Sequence, residues 1–376
     1  VTIPECADVA VVGGGPAGLT AAIESGRAGC RTVVLDAGIT PGGQLTKQIH
    51  KFFGSRTQGA GRRGLDIAAD LAEEAEANGA VIRTDSTVQA ADQSGRLEVL
   101  NGARSHGGSP EKMQLEHIRA KRVVLATGAE ENAIAFSGWT RPGVMGAGAV
   151  QTMVNIHRVL PGRKVLMVGA GNVGLIVTYQ LLQAGANVRC VVEAACDIGG
   201  YGVHAAKVRR SGVPILTSHT VQEAHGDSRG VRAATLVQLD EKWEPVPGTE
   251  KTIDVDLICI AAGLRPNIQL SSIMGCRLVH STDLGGWLPV HDCSLMTTRS
   301  SVYVAGDASG VEEATAAMEE GRLAGVSAAE SLGRLNEVRA SGRRRRIQKR
   351  LAQLRGGPLG ESIRGAKHQI QRGQSI

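Results

Sequence analysis

Two glycine runs carry the chemistry legible in this chain. Gly13-Gly14-Gly15-Pro16-Ala17-Gly18 lies near the start, and Gly169-Ala170-Gly171-Asn172-Val173-Gly174 repeats its spacing 156 positions later. In such a run the first glycine allows a tight strand-to-helix turn, and the second lets the backbone approach a pyrophosphate. The third lets helix and strand pack closely, while the helix N-terminus faces the phosphate charge. Asp36 follows Gly18 by 18 residues, and Glu193 follows Gly174 by 19. A carboxylate at that distance ends the next strand, where it can accept ribose hydroxyls. One run alone could be an ordinary glycine-rich turn. Two of them, each in this context, point to two dinucleotides held so that electrons pass between them.

The elements that must hold these loops read as two βαβ units. Residues 7–12 form an apolar strand, 19–24 continue a helix, and 32–35 form the strand ending in Asp36. In the second copy the strand is 164–168, the helix 175–184, and the strand ending in Glu193 is 187–192. Apolar spacing over 65–78 predicts a helix with Leu71 and Ala75 on one face, followed by a strand at 81–83. Residues 85–122 read as a small antiparallel excursion, with strands at 96–100 and 113–118 around a Gly/Ser/Pro turn. A buried strand at 122–126 closes on Thr127-Gly128, and its counterpart at 255–261 closes on Ala262-Gly263. The chain returns through strands at 288–290 and 302–304 to Ala305-Gly306-Asp307 and a helix over 312–332. The expected architecture is α/β, with two Rossmann-like dinucleotide-binding domains, one inserted in the other. Residues 1–135 and 270–333 form the outer domain, 140–268 the inner one, and 334–376 a basic C-terminal tail.

Composition agrees with this plan. A length of 376 residues holds about two domains. With 42% hydrophobic residues but only 2% aromatic, the cores must be built from Val, Ile, Leu and Ala, which suits parallel strands covered by helices. No apolar run reaches the roughly 20 residues that span a bilayer. The first residues do not read as a secretory leader, so a cytoplasmic location is expected. Seven cysteines are scattered without a Cys-x-x-Cys pair or zinc or iron–sulfur spacing, and no metal site is expected. Cys196 alone lies near a site residue, Glu193, but a lone thiol does little two-electron exchange without a partner. His157 and His204 read as structural.

Charge is concentrated at the C-terminal end. Residues 334–376 carry 12 basic and 2 acidic residues, and the other 333 carry 30 and 34. Arg343-Arg344-Arg345-Arg346 followed by Ile347, Leu351 and Leu354 predicts a basic helix with a thin apolar edge. The expectation is an attachment device outside the core, serving an acidic partner subunit before an anionic membrane. Nucleic acid is disfavoured, because no aromatic interleaving accompanies the charge.

Taken in order, the motifs between residues 7 and 333 resemble the two-dinucleotide-binding-domain flavoproteins, which include thioredoxin reductases. The motifs are Gly13 to Gly18, Gly42-Gly43-Gln44-Leu45, Ala126-Thr127-Gly128, Gly169 to Gly174 and Ala305-Gly306-Asp307. The resemblance implies FAD in the outer domain and a nicotinamide nucleotide in the inner one. FAD phosphates would meet the backbone of Gly13, Gly15, Pro16, Ala17 and Gly18, and ribose would meet Asp36. Gly43, Gln44, Leu45, Thr127, Gly128 and Gly306 would line the flavin, Asp307 would reach its ribityl or phosphate region, and the helix start at Ala314 and Thr315 would point at its ring. Gly169, Gly171, Asn172, Val173, Gly174, Glu193 and Gly263 would hold the second nucleotide. NAD(H) is expected over NADP(H), since the Glu193 charge repels a 2′-phosphate and no arginine follows it.

Where thioredoxin reductases carry their thiol pair, this chain reads Pro142-Gly143-Val144-Met145-Gly146. A disulfide relay is therefore not expected. The 142–151 and 198–201 segments are similar to flavin subunits of heteromeric amine and imino-acid dehydrogenases, which include sarcosine oxidase α and opine oxidase. That branch often carries an iron–sulfur domain, and the cysteine-free tail does not match one. The resemblance implies an enzyme moving electrons between NAD(H) and a small-molecule substrate or a partner subunit, either a flavin or iron–sulfur subunit or a second copy. A stand-alone NAD(P)H oxidase or a ferredoxin/thioredoxin-reductase-like enzyme is the first alternative. A structural flavoprotein with an idle nicotinamide site is the second. Lys47 and His50, after the flavin-side loop, are the only side-chain candidates for catalysis.

Overall fold

The computed structural model describes residues 6–52, 59–105 and 113–371. They form two compact units, one of the described residues up to 130 with those from 265 onward, and one of residues 131–264. The first unit opens with β1 (Cys6–Val12), α1 (Pro16–Arg27), β2 (Thr32–Leu35), α2 (Gly64–Ala77), β3 (Val81–Arg83), β4 (Ser86–Ala91), β5 (Arg96–Asn101), β6 (Gln114–Leu125) and β7 (Ala129–Glu131). The second contains β8 (Val144–Gly146), α3 (Ala147–Gln151), β9 (Lys164–Val168), α4 (Asn172–Gln183), β10 (Asn187–Glu193) and α5 (Gly202–Arg210). It continues with β11 (Ile215–Thr217), β12 (His219–Asp227), β13 (Gly230–Gln238), β14 (Lys251–Asp254) and β15 (Leu257–Ile260), after which the chain re-enters the first unit through β16 (Leu264–Pro266). The first unit resumes with α6 (Gln269–Ile273), β17 (Leu278–Ser281), β18 (Gly286–Pro289), β19 (Val302–Val304), α7 (Ala314–Ser331), α8 (Glu337–Leu354) and α9 (Pro358–Gln371).

Each unit is organised by a parallel sheet whose central strands are apolar on both faces, as buried strands must be. In the first unit the order is β3-β2-β1-β6, with β19 beside the end of β6. In the second it is β11-β10-β9-β15-β8, parallel throughout. The segments at 113–118 and 122–126, expected as separate strands, are one strand. β6 pairs with β1 from Arg119 to Leu125 and with antiparallel β5 from Gln114 to Arg119. The Gly/Ser/Pro turn before it lies outside the described residues. β4 and the antiparallel β12-β13-β14 sheet of the second unit add to the expected plan.

α7 crosses α1 at close range because glycines face it. A Cβ on Gly321 or Gly325 would collide with the backbone carbonyl of Ala17 or Ala21. The Thr20 hydroxyl donates across the contact to the Met318 carbonyl, at 2.8 Å.

The expectation of a tail outside the core is corrected. Helices α8 and α9 belong to the first unit. The Asn336 side chain caps α8 by accepting the Arg339 N–H at 2.9 Å. Ala340, Ile347 and Leu351 are buried in the same cluster as Leu19 and Ile23 of α1 and Leu323 of α7. The thin apolar edge seen in the sequence is thus a core contact, and each large side chain buried there contributes about 1.5–3 kcal/mol. Ala366 and Ile370 of α9 pack with Leu284 and Leu288. The arginines meet acids of the same unit: Arg343 with Glu24 at 3.2 Å, Arg350 with Glu319 at 2.7 Å, and Arg344 with Glu330. The Arg343 and Arg344 pairs are partly exposed and contribute about 0–1 kcal/mol each, whereas Glu319 is buried and Arg350 compensates its charge, so the apolar edge supplies most of the docking energy.

Candidate nucleotide-binding sites

The two glycine runs fold into the same object. Gly13 (φ +104°) and Gly169 (φ +107°) take the left-handed conformations that turn strand into helix. A Cβ on Gly18 would strike the Gly13 carbonyl, and one on Gly174 would strike the Gly169 carbonyl. The middle glycines differ in kind. A Cβ on Gly15 would find only the Gly43 Cα, at 3.9 Å, and one on Gly171 would find nothing within 4 Å. These residues are the N-caps of α1 and α4, and neither helix start has a side-chain cap. Each loop therefore offers open space in front of the partly positive start of a helix, which fits a pyrophosphate.

The acidic residues close these loops. Asp36 accepts the Gly14 N–H with one carboxylate oxygen and the Gly38 N–H, at 2.5 Å, with the other. Glu193 does the same with the Ala170 N–H at 2.7 Å and the Ala195 N–H at 3.1 Å. A carboxylate has about four acceptor positions, so two remain on each for ribose hydroxyls. The correspondence extends to a second glycine pair. The Gly42 N–H donates to the Gly14 carbonyl at 2.7 Å, and the Gly200 N–H donates to the Ala170 carbonyl at 3.0 Å. Sequence reasoning missed that Gly199-Gly200 is the inner counterpart of Gly42-Gly43; the repeated Gly-Gly after each acidic strand end was the available signal.

The remaining residues expected around FAD all fall in the first unit, and those expected around the nicotinamide nucleotide all fall in the second. Gly43 and Gln44 are exposed, whereas the Leu45 side chain is fully buried. The Thr127 hydroxyl donates to the Asn267 carbonyl at 3.1 Å, and the Asn267 amide returns a bond to the Thr127 carbonyl at 2.9 Å. This lock fixes the turn at Gly128. Ala314 and Thr315 open α7, which also lacks a side-chain cap. Asn172 accepts the Tyr201 N–H at 2.8 Å, so it also holds the Gly200 loop, and Val173 beside it is exposed. Gly263 accepts the Asn132 N–H at 3.0 Å. His50 stacks on Phe52 with ring centroids 5.9 Å apart, and Lys47 ends the short 3-10 turn of Gly43–Lys47.

Asp307 lies in a second 3-10 turn, Gly306–Ser309, just before α7. Burial pushes its carboxyl up to about 6, with neighbouring Glu320 adding to the rise. Burial also opposes ionisation of Glu320, but Lys367 and Arg355 outweigh it and hold that carboxyl at about 2. Glu312, Glu320, Arg355 and Lys367 were absent from the expected set. The cysteines stand apart from all this. Cys30, Cys190, Cys259 and Cys276 are buried, and burial pushes the Cys30 and Cys190 thiols up to about 11.

Known proteins share this organisation. The family model described as pyridine nucleotide-disulphide oxidoreductase matches residues 7–321. The opine oxidase A-subunit from Rhizobium meliloti is 30% identical over 355 residues, covering 91% of this chain and 66% of the relative. The sarcosine oxidase alpha-subunit from Corynebacterium sp. (strain P-1) is 29% identical over 332 residues, covering 87% of this chain and 33% of the relative. The chain thus spans just under two thirds of the first relative's length and a third of the second's. Among solved structures, thioredoxin reductase of T. acidophilum superposes with a TM-score of 0.69 at 21% identity, covering 88% of this chain and 99% of that one. At that identity the likeness speaks for the fold, with its two Rossmann-like units.

Proposed function

Because this chain belongs to the pyridine nucleotide-disulphide oxidoreductase family, we propose that it is the flavin subunit of a heteromeric dehydrogenase or oxidase. The family makes it an FAD-dependent oxidoreductase that also uses a pyridine nucleotide. The finer reading is that electrons pass between NAD(H) and a second substrate or partner subunit, with an amine or imino acid as the organic substrate. Both curated relatives are named as subunits of oxidases, which supports a partnered enzyme. A cytoplasmic location belongs to the same proposal; among the described residues no helix is long and apolar enough to cross a membrane.

One observation carries the proposal: two uncapped helix starts, each behind an open glycine and beside a carboxylate with acceptor positions to spare. Bound FAD would supply two-electron chemistry at its ring. The chain would supply the rest. In the first unit the Gly15 and Ala17 N–H groups would bind phosphate, Pro16 between them having none to offer, and Asp36 would orient ribose. The first turn of α7 would favour negative charge beside it. In the second unit Gly171 to Val173 would take the other pyrophosphate, and Glu193 would choose a free 2′-hydroxyl over a phosphate.

Anaerobic addition of NADH to the flavin-loaded protein tests this. Bleaching of the flavin absorbance is expected, followed by its return on adding a dye acceptor. A flavin that stays oxidised under NADH and NADPH alike would leave the nicotinamide site idle and overturn the proposal. Bleaching with release of peroxide in air, by a protein purified alone from its source, would favour the stand-alone oxidase instead.

A further inference from the structure

We infer that Lys367 and Arg355, delivered by the two C-terminal helices, are positioning residues that hold the Gly306–Ser309 turn and the start of α7 for the flavin. This rests on the FAD reading of the first unit.

Lys367 is 2% exposed, and its ammonium group ends among acceptors of the turn rather than of its own helix. It donates to the Ser309 carbonyl at 2.9 Å, to the Ser309 hydroxyl at 2.8 Å and to Glu320 Oε1 at 2.8 Å. Glu312 Oε1 lies 3.4 Å away. Arg355 donates from Nε to Glu312 Oε2 at 2.8 Å, and from Nη2 to Glu312 Oε1 at 2.6 Å and Glu320 Oε1 at 2.5 Å. The second oxygen of Glu320 accepts the Gly306 N–H at 3.0 Å and the Ser309 hydroxyl at 2.7 Å. The Glu312 N–H donates to Asp307 at 3.3 Å. Both ends of the turn, and the carboxylate between them, are thus tied to one buried cluster of two cations and two anions.

Docking α9 alone does not require this arrangement, since Ala366 and Ile370 already seat it on Leu284 and Leu288. A buried ion pair is a weak source of stability, because well-packed apolar side chains often do as well. Its directional bonds instead fix particular atoms. Here those atoms are the Gly306 amide and the Ser309 carbonyl and hydroxyl, on either side of Asp307. The cluster also leaves Asp307 beside compensated neighbours rather than beside two bare carboxylates.

The test compares Lys367→Met, Lys367→Met with Glu320→Gln, and Ile370→Ala in the full chain. Apoprotein is titrated with FAD by quenching of flavin fluorescence, and amide exchange is followed over residues 306–312. Lys367→Met should weaken FAD binding at least tenfold and speed exchange in that turn. The double variant also neutralises Glu320, which the single variant leaves with Arg355 as its one remaining cation in the cluster, so it should fold even where the single variant precipitates, and should still bind FAD at least fivefold more weakly than wild type. Ile370→Ala should lower the melting temperature while leaving FAD affinity within threefold. FAD affinity within threefold of wild type in either Lys367 variant overturns the inference. So does a loss in Ile370→Ala equal to that in Lys367→Met, which would reduce the helices to plain support. A wild-type apoprotein that takes up no FAD would instead strike the flavin reading itself.

Discussion

Gly171→Ala separates the fold of the second unit from its proposed ligand. The residue sits at φ −72°, ψ 178°, which alanine adopts readily, and a Cβ there meets nothing within 4 Å. Restricting the unfolded chain stabilises by about 0.4–1 kcal/mol, whereas alanine is a poorer N-cap than glycine by a similar amount. The two nearly cancel, so the melting temperature should move by less than about 2 °C. The added methyl group would stand where a pyrophosphate must approach the Gly171–Val173 amides. Losing one hydrogen bond to a charged group costs about 1.5–3 kcal/mol, or roughly 10- to 150-fold in affinity. Stopped-flow flavin reduction against NADH concentration would show it as a raised half-saturation, with flavin content unchanged. Gly174→Ala is the contrast, since its Cβ would strike the Gly169 carbonyl and overpacking costs about 1–3 kcal/mol. Unaltered NADH saturation in a stable Gly171→Ala protein would refute the assignment of the loop.

Wild-type protein should be reduced faster by NADH than by NADPH, and Glu193→Ser should narrow the gap; NADPH reduction equal to NADH in wild type would remove Glu193 from the role. Alkylation of accessible thiols should leave NADH-to-dye transfer intact, because Cys6, Cys196 and Cys293 are the exposed ones and form no pair; activity lost in step with Cys196 modification would place that residue in the site. Asp307, raised from 3.8 to about 6 by burial, binds a proton in the folded apoprotein over a window where the unfolded chain has released it. It therefore makes folding less favourable as pH rises from about 4 to 6, by roughly 2–3 kcal/mol. Asp307→Asn should remove that slope from urea titrations of apoprotein, and parallel slopes in both proteins would sink the assignment. Glu320, held near 2, acts in the opposite sense and only below about pH 4.5.

The loops were legible because glycine spacing encodes local backbone geometry. Gly13 and Gly169 must turn left-handed, and Gly18 and Gly174 must lack a side chain, whatever surrounds them. The β12-β13-β14 sheet was not legible, because shifts of register near Val221 and His225 break the alternation that would reveal paired strands. The role of the tail was hidden by a different ambiguity. Arginines at helical spacing look the same whether they face water or acids from distant parts of the chain, and Glu24 lies 319 residues from Arg343. A clue lay in α7, where Glu319-Glu320 interrupts a helix otherwise rich in alanine and glycine. Small residues on every side mean close neighbours on every side. Carboxylates buried there need cations, and the tail is where the chain carries its surplus.

The two units close their loops with matching local contacts, Asp36 to Gly14 and Glu193 to Ala170, but the first unit adds ties of longer reach around its loop, and this bears on what each would hold. In the second unit the side-chain ties of the loop are local, Asn172 to Tyr201, 29 residues on, and Ala170 to Glu193, 23 residues on, while its glycines pack on Ala261 of the same unit. In the first unit Thr20, on the helix that follows the loop, bonds to Met318 across 298 residues. A Cβ on Gly306 would lie 2.8 Å from that of Ala17, and Lys367 reaches Ser309 from 58 residues away. Local contacts can open with a loop while the rest of the fold stands. Long-range ones open only when packed helices part, so exchange at such a site approaches the cost of unfolding the unit. A prosthetic FAD in the first unit and a nicotinamide nucleotide that must leave after each turnover in the second are the occupants this asymmetry suits.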